Sequence, residues 1–185
     1  ALAVIFSERK EYTTDDPLKI RLEEGVHEIV GSGGTLNVTC SHITFVGKGK
    51  DHTTIRGGFK VENQENVKFE ELAVMNQRGY GLFLLGSETN VDVLKCAVKE
   101  CQATGMAMYE GATVTATECE FMENRHQGVY CIGANTKARL NNCQMHHNGN
   151  NGLYACGHAV VDLHGTTTDI HSNKCGIWAT DRAKV

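Results

Sequence analysis

From Gly81 onward, apolar and polar positions alternate in short bursts that each open on a glycine: "GLFL", "GMAM", "GVYC", "GLYA" and "GIWA". These glycines stand at 81, 105, 128, 152 and 176, with separations of 24, 23, 24 and 24 residues. Alternation with a period of two predicts a short strand with one face buried. About ten residues further on comes a second alternating segment, "VDVLKCAV", "VTATECEF", "ARLNNCQM" and "VDLHGTTTDI". The last three close near Asn124, Asn148 and Asn173. Each repeat thus holds about three short strands and has no room for a helix.

A repeat of this length, built only of strands and turns, predicts a solenoid in which each strand pairs with its equivalent one turn on. Stacked coils then sit at the strand spacing of about 4.8 Å. Alternation assigns the faces. Leu82, Met106, Val129, Leu153 and Ile177 form one inward row, and Leu84, Met108, Cys131, Ala155 and Ala179 run beside it. Val98, Phe121, Met145 and Ile170 form another. The three asparagines are expected to stack in an interior turn, each amide bonding the next.

Before the regular part, "LKIRLEEGVHEI", "LNVTCSHITFVGKGKDHTTIRG" and "FKVENQENVKFEELAV" alternate with less even spacing and read as the opening coils. The expected organisation is a cap segment over residues 1–17 followed by one domain over 18–185, about seven coils of 23–24 residues, the last of them incomplete. An uncovered coil end exposes unpaired backbone. Either a longer parent chain or an end-to-end homo-oligomer is therefore expected at the C-terminal side.

Composition narrows the partners. Eighteen basic against 22 acidic residues, without long runs of either sign, argue against nucleic acid or an anionic membrane as the main partner. No apolar run approaches the roughly 20 residues of a membrane span, and "ALAVIF" shows neither a basic leader nor a clear cleavage site. Among the eight cysteines, Cys96, Cys119 and Cys143 stand one repeat apart, in line with Leu72 before them and Thr167 or Thr168 after. One row shared by Leu, Cys and Thr fits packing of small side chains better than disulfides, so free thiols and an intracellular, cytoplasmic location are expected. The triplet "NVT" at 37–39 matches a glycosylation acceptor but lies within a strand.

The opening "PLKIRLEEGVHEI", "ITFVGKGKDHTTIRG" and the glycine-led and Asn-Asn-Cys repeats resemble the right-handed parallel β-helix of the pectin-lyase-like superfamily, over roughly residues 17–180. In style they are nearest to the non-enzymatic F-box-only and Shc-binding types of repeat. The resemblance implies an all-β, single-stranded right-handed parallel β-helix, a fold that hosts both enzymes and binding modules. The "QD" and "DFIFG" segments of pectin methylesterases have no counterpart here, and a "DPHD"-like epimerase motif is excluded because the single proline is Pro17.

Candidate sites follow from the outward rows. Phe83, Ala107, Tyr130, Tyr154 and Trp178 occupy the position between the two inward rows, four aromatics in a chain where aromatics are 6% of residues. An exposed aromatic ladder stacks sugar rings or peptide side chains, or else simply stabilises the sheet. Arg78, Arg125, His126 and Glu110 lie near the ends of that sheet; if chemistry occurs, His126 is the candidate base beside Arg125, which would neutralise a uronate. His146 and His171 share one outward turn position after Met122, while His147 follows Glu100 and Glu123 in the next row. Neutral imidazoles there are candidate ligands for Zn²⁺ or Cu²⁺, but with no dense metal motif they read as exposed turn residues, and no cofactor is expected. Arg139, between Thr115 and Asp162, reads as a surface ion pair. Two functions follow: a non-catalytic recognition or scaffold module binding a protein or polysaccharide through Phe83, Tyr130, Tyr154 and Trp178, or a polysaccharide lyase, epimerase or hydrolase on the same sheet. The lack of an assembled acid/base pair favours the first.

Overall fold

The computed structural model describes residues 12–30 and 32–185. Within them, 21 strands form three seven-stranded sheets, and every pairing is parallel and joins strands one coil apart. Seven coils result, each contributing one strand to each sheet. The fifth coil shows the plan: Thr113–Thr117 in the first sheet, Glu120–Met122 in the second and Val129–Ile132 in the third. Lys184 begins a further turn through a single bridge to Val160. Residues 1–11 of the expected cap segment lie outside the described residues.

The inward rows form the core. Leu82, Met106, Val129 and Leu153, then Leu84, Met108, Cys131 and Ala155, are all fully buried, as are Phe121 and Met145 from the second sheet. The rows open at the seventh coil, where Ile170 is half-buried and Ile177 is 44% exposed, because among the described residues no full coil stacks against them on that side. In the opening coils Phe45 and Phe69, register partners, stack at 5.3 Å, and Phe59 leans into both at 5.0 and 4.8 Å. Three rings thus fill the early core that the later coils fill with Met, Leu and Cys.

The corners are built from side chains that satisfy backbone groups. Asn124 Nδ2 donates to Asn148 Oδ1 at 3.0 Å, and Asn148 Nδ2 donates to Asn173 Oδ1 at 2.8 Å. Each of the three also donates to the carbonyl of the central residue of a second-sheet strand, Val98, Phe121 or Met145. Cys101 takes the same place one coil earlier, its backbone N–H donating to Asn124 Oδ1. At the preceding corner the single S–H of each of Cys96, Cys119 and Cys143 is shared between the carbonyl two residues back and one in the previous coil, at 3.2–3.5 Å. Thr168, the next member of that row, uses its hydroxyl in the same way toward the His164 carbonyl. The shared requirement is a small weak donor, which is why Cys and Thr interchange here. All eight cysteines are free thiols.

Next to the Asn row the backbone turns through the left-handed region at Glu100, Glu123, His147 and Ser172, with φ of 51°–55°. The expected Arg139–Asp162 ion pair does not form. The two are register partners, but the pair that closes along this outward row is Lys68–Asp92, at 3.6 Å.

Candidate ligand-binding face and histidine corner

The register of the third sheet puts Lys60, Phe83, Ala107, Tyr130, Tyr154 and Trp178 in one outward row. The alignment matches the expectation, but the exposure does not. Phe83, Tyr130 and Tyr154 are half-buried, and only Trp178, at 55%, is open. The cause is two rings that the period of the repeat does not reveal. Tyr109 lies two residues beyond Ala107 on the same face, 5.4 Å from Phe83 and 5.8 Å from Tyr130, and closes the gap that alanine leaves. Tyr80, before the strand, packs on Phe83 at 5.1 Å. With Tyr130–Tyr154 at 5.0 Å, five rings run continuously along the coil axis. They are tilted by 33°–66° to one another, so each hides part of its face in the next. Ala107 is fully buried although it points outward.

Burial pushes the Tyr109 hydroxyl well above the ordinary tyrosine range, aided by the charge and hydrogen bond of Tyr80. Tyr130 shifts the same way, again first through burial. These phenols stay protonated at any physiological pH and act as neutral donors beside the rings.

Arg125 and His126 lie in the turn that leads into Val129–Ile132. Their backbone N–H groups bond Cys101 O and Ala103 O, at 2.9 and 3.2 Å. Both side chains are exposed, and neither makes a hydrogen bond or ion pair with the described residues. Nothing in the structure holds His126 in the orientation a general base needs.

The second sheet carries a different cluster. Met122, His146 and His171 are register partners at the ends of their strands, whereas His147 occupies the left-handed corner after Glu100 and Glu123. His146 and His171 thus lie in strands, one residue before the turn where they were expected. His146 Nε2 lies 3.2 Å from Glu120 Oε1, and Lys50 Nζ donates to Glu120 Oε2 at 2.6 Å across 70 residues of sequence. Burial pushes the Glu120 carboxyl up, but the hydrogen bonds and charges of Lys50 and His146 outweigh it, leaving the group below the usual carboxylate range. Neither Lys50 nor Glu120 carried any sequence signal, because the contact depends on how the 47–52 turn lies over the sheet.

The right handed beta helix region family matches residues 25–185. The chain belongs to that family, and its coil is right-handed. Comparison with curated proteins and with solved structures finds no match.

Proposed function

We propose that this chain is a non-catalytic recognition module that binds a linear polysaccharide along its third sheet. The observation that carries the reading is the unbroken run of Tyr80, Phe83, Tyr109, Tyr130 and Tyr154, with Trp178 open beyond it. A polymer of sugar rings offers apolar C–H faces to such a run and hydroxyls to the neutral phenols at its edge. The unpaired, exposed state of Arg125 and His126 supports binding over catalysis on this face.

Trp178 is the single tryptophan of the chain, so its fluorescence reports the site directly. A glycan array, followed by titration of Trp178 fluorescence with the best binder, is expected to give saturable binding that weakens at least tenfold in Tyr130→Ala and Tyr154→Ala. Chain cleavage or unsaturated sugar products would establish the enzymatic alternative instead. Silence on every glycan, with capture of one defined protein through the same residues, would replace the polysaccharide with a protein ligand.

A further inference from the structure

Three imidazoles meet at the outer edge of the second sheet, away from the aromatic face. The His146 and His171 rings are parallel, 5.0 Å apart and inclined by 4°. His147 sets its ring across both, at 5.1 and 5.9 Å with interplanar angles of 88° and 87°. The coil does not require histidine here. In earlier coils the same two positions hold Lys99 with Glu100 and Met122 with Glu123, on the same register and the same left-handed corner.

Carboxylates stand behind the rings. An ionised carboxylate only accepts, so His146 Nε2–H donates to Glu120 Oε1, which leaves the lone pair of His146 on Nδ1. That lone pair faces His147 Nδ1 at 2.8 Å. Asp169 Oδ2, 3.9 Å from His171 Nε2, biases His171 to the same tautomer. A carboxylate that fixes one ring nitrogen so that the other faces outward is the arrangement that orients metal-binding histidines.

We propose that His146 and His147, with His171 as a third ligand, bind one Cu²⁺ ion through their Nδ1 atoms. The 2.8 Å contact between the two nitrogens is a hydrogen bond that the ion would replace, the rings turning so that both Nδ1 lone pairs leave each other and meet one ion about 2.0–2.1 Å away. Cu²⁺ stands highest among the divalent first-row ions in affinity for nitrogen ligands, and so is the ion these imidazoles would take. Among the described residues no three such donors are already gathered around one point. His171 Nδ1 rests on Ser172 Oγ at 3.0 Å, and its exposed side chain reaches the ion by rotation. As the ion enters, the proton on His147 Nδ1 moves through solvent to His147 Nε2, which is on the exposed side; the ring stays neutral and no proton is lost.

The experiment is titration of chelator-stripped protein with Cu²⁺ and, separately, Zn²⁺ by calorimetry in a non-coordinating buffer, with electron paramagnetic resonance of the Cu²⁺ form. The variants His146→Met and His147→Ser copy Met122 and Ser172 from the neighbouring coils, so both retain a side chain the corner already accepts. One Cu²⁺ per chain, coupling to two or three imidazole nitrogens, and at least tenfold weaker uptake in both variants are expected; the apo melting temperature should stay unchanged in His147→Ser and fall modestly at neutral pH in His146→Met, which loses the Glu120 contact. His171→Ala, at an exposed position, is expected to remove one nitrogen from the coupling pattern. Equal uptake by wild type and variants, or none that saturates, would show that the imidazoles form only a hydrogen-bonded corner. Tighter binding of Zn²⁺ than of Cu²⁺ would overturn the assignment of the ion.

Discussion

A Cβ on Gly128 would lie 2.9 Å from Nδ2 of Asn148, and 2.8 Å from the carbonyl oxygen of Gly152. The two repeating marks of the chain, the glycine and the asparagine, are therefore one device. Each asparagine amide rises beside the glycine of the preceding coil, and only a residue without a side chain leaves it room. Gly105 is held in the same way by Asn124 and Gly152 by Asn173, whereas at Gly176 the nearest atom, Ile170 Cγ2, is 3.9 Å away. Gly128→Ala is expected to destabilise by about 1–3 kcal/mol, as forced overpacking does. Gly176→Ala is expected to be neutral or to stabilise by up to about 1 kcal/mol. Urea denaturation of the two variants side by side measures the contrast; equal effects would refute the coupling.

Removal of the ladder amide tests the other half. Asn148→Leu leaves the buried Phe121 carbonyl and the Asn124 amide without the partners they have at 3.0 Å. Each such orphan costs about 1–3 kcal/mol, so this change is expected to exceed that of Gly128→Ala. The loss should appear as a lower denaturation midpoint with an unchanged slope.

The thiols should divide by depth. Cys96, Cys101, Cys119, Cys131 and Cys143 are buried, whereas Cys40, Cys156 and Cys175 are partly accessible. Burial pushes Cys96, Cys101 and Cys131 up to about 12, so they offer almost no thiolate at neutral pH. Labelling of native protein is expected to stop at three thiols, and of denatured, unreduced protein to reach eight. A denatured count of two or fewer would mean disulfides and would remove the basis for an intracellular location.

Glu120 links pH to stability. Its folded pKa is depressed, so the ionised form is favoured by folding, and the stability it contributes is present above the unfolded carboxylate value of about 4.3. That contribution fades as pH falls through the lower folded value. Wild type is expected to exceed Glu120→Gln in melting temperature at neutral pH, with the gap closing in acid. A gap that persists in acid would mean that the residue acts by packing rather than by charge.

Tyr109 should matter more than its place outside the glycine-led rows suggests. Aromatic pairs contribute about 0.5–1.5 kcal/mol beyond area, and Tyr109 makes two such contacts, with Phe83 and Tyr130. Tyr109→Ala is expected to cost at least about 2 kcal/mol because it also uncovers Ala107. Tyr109→Phe, which keeps the ring and its packing on Phe83 and Tyr130, should cost far less, under about 0.5 kcal/mol. Chemical denaturation of both variants decides the order, and a Tyr109→Ala change near zero would show that the ring carries no packing.

What the chain determines by itself is whatever repeats. Alternation separates inward Leu82 and Leu84 from outward Phe83, and the even spacing of the glycines places Tyr130 beside Tyr154 and Cys119 beside Cys143, because parallel coils pair equivalent residues. The asparagine ladder is legible for the same reason. Contacts between positions that are not equivalent escape this logic. Tyr109 filling the gap over Ala107, Phe59 entering the Phe45–Phe69 stack, and Lys50 reaching Glu120 beside His146 depend on side-chain direction and on how a turn lies across a sheet. The left-handed corner that turns His147 across the His146 and His171 rings belongs with them: it is a backbone conformation of the stacked coil, and only the packed coil brings these rings together.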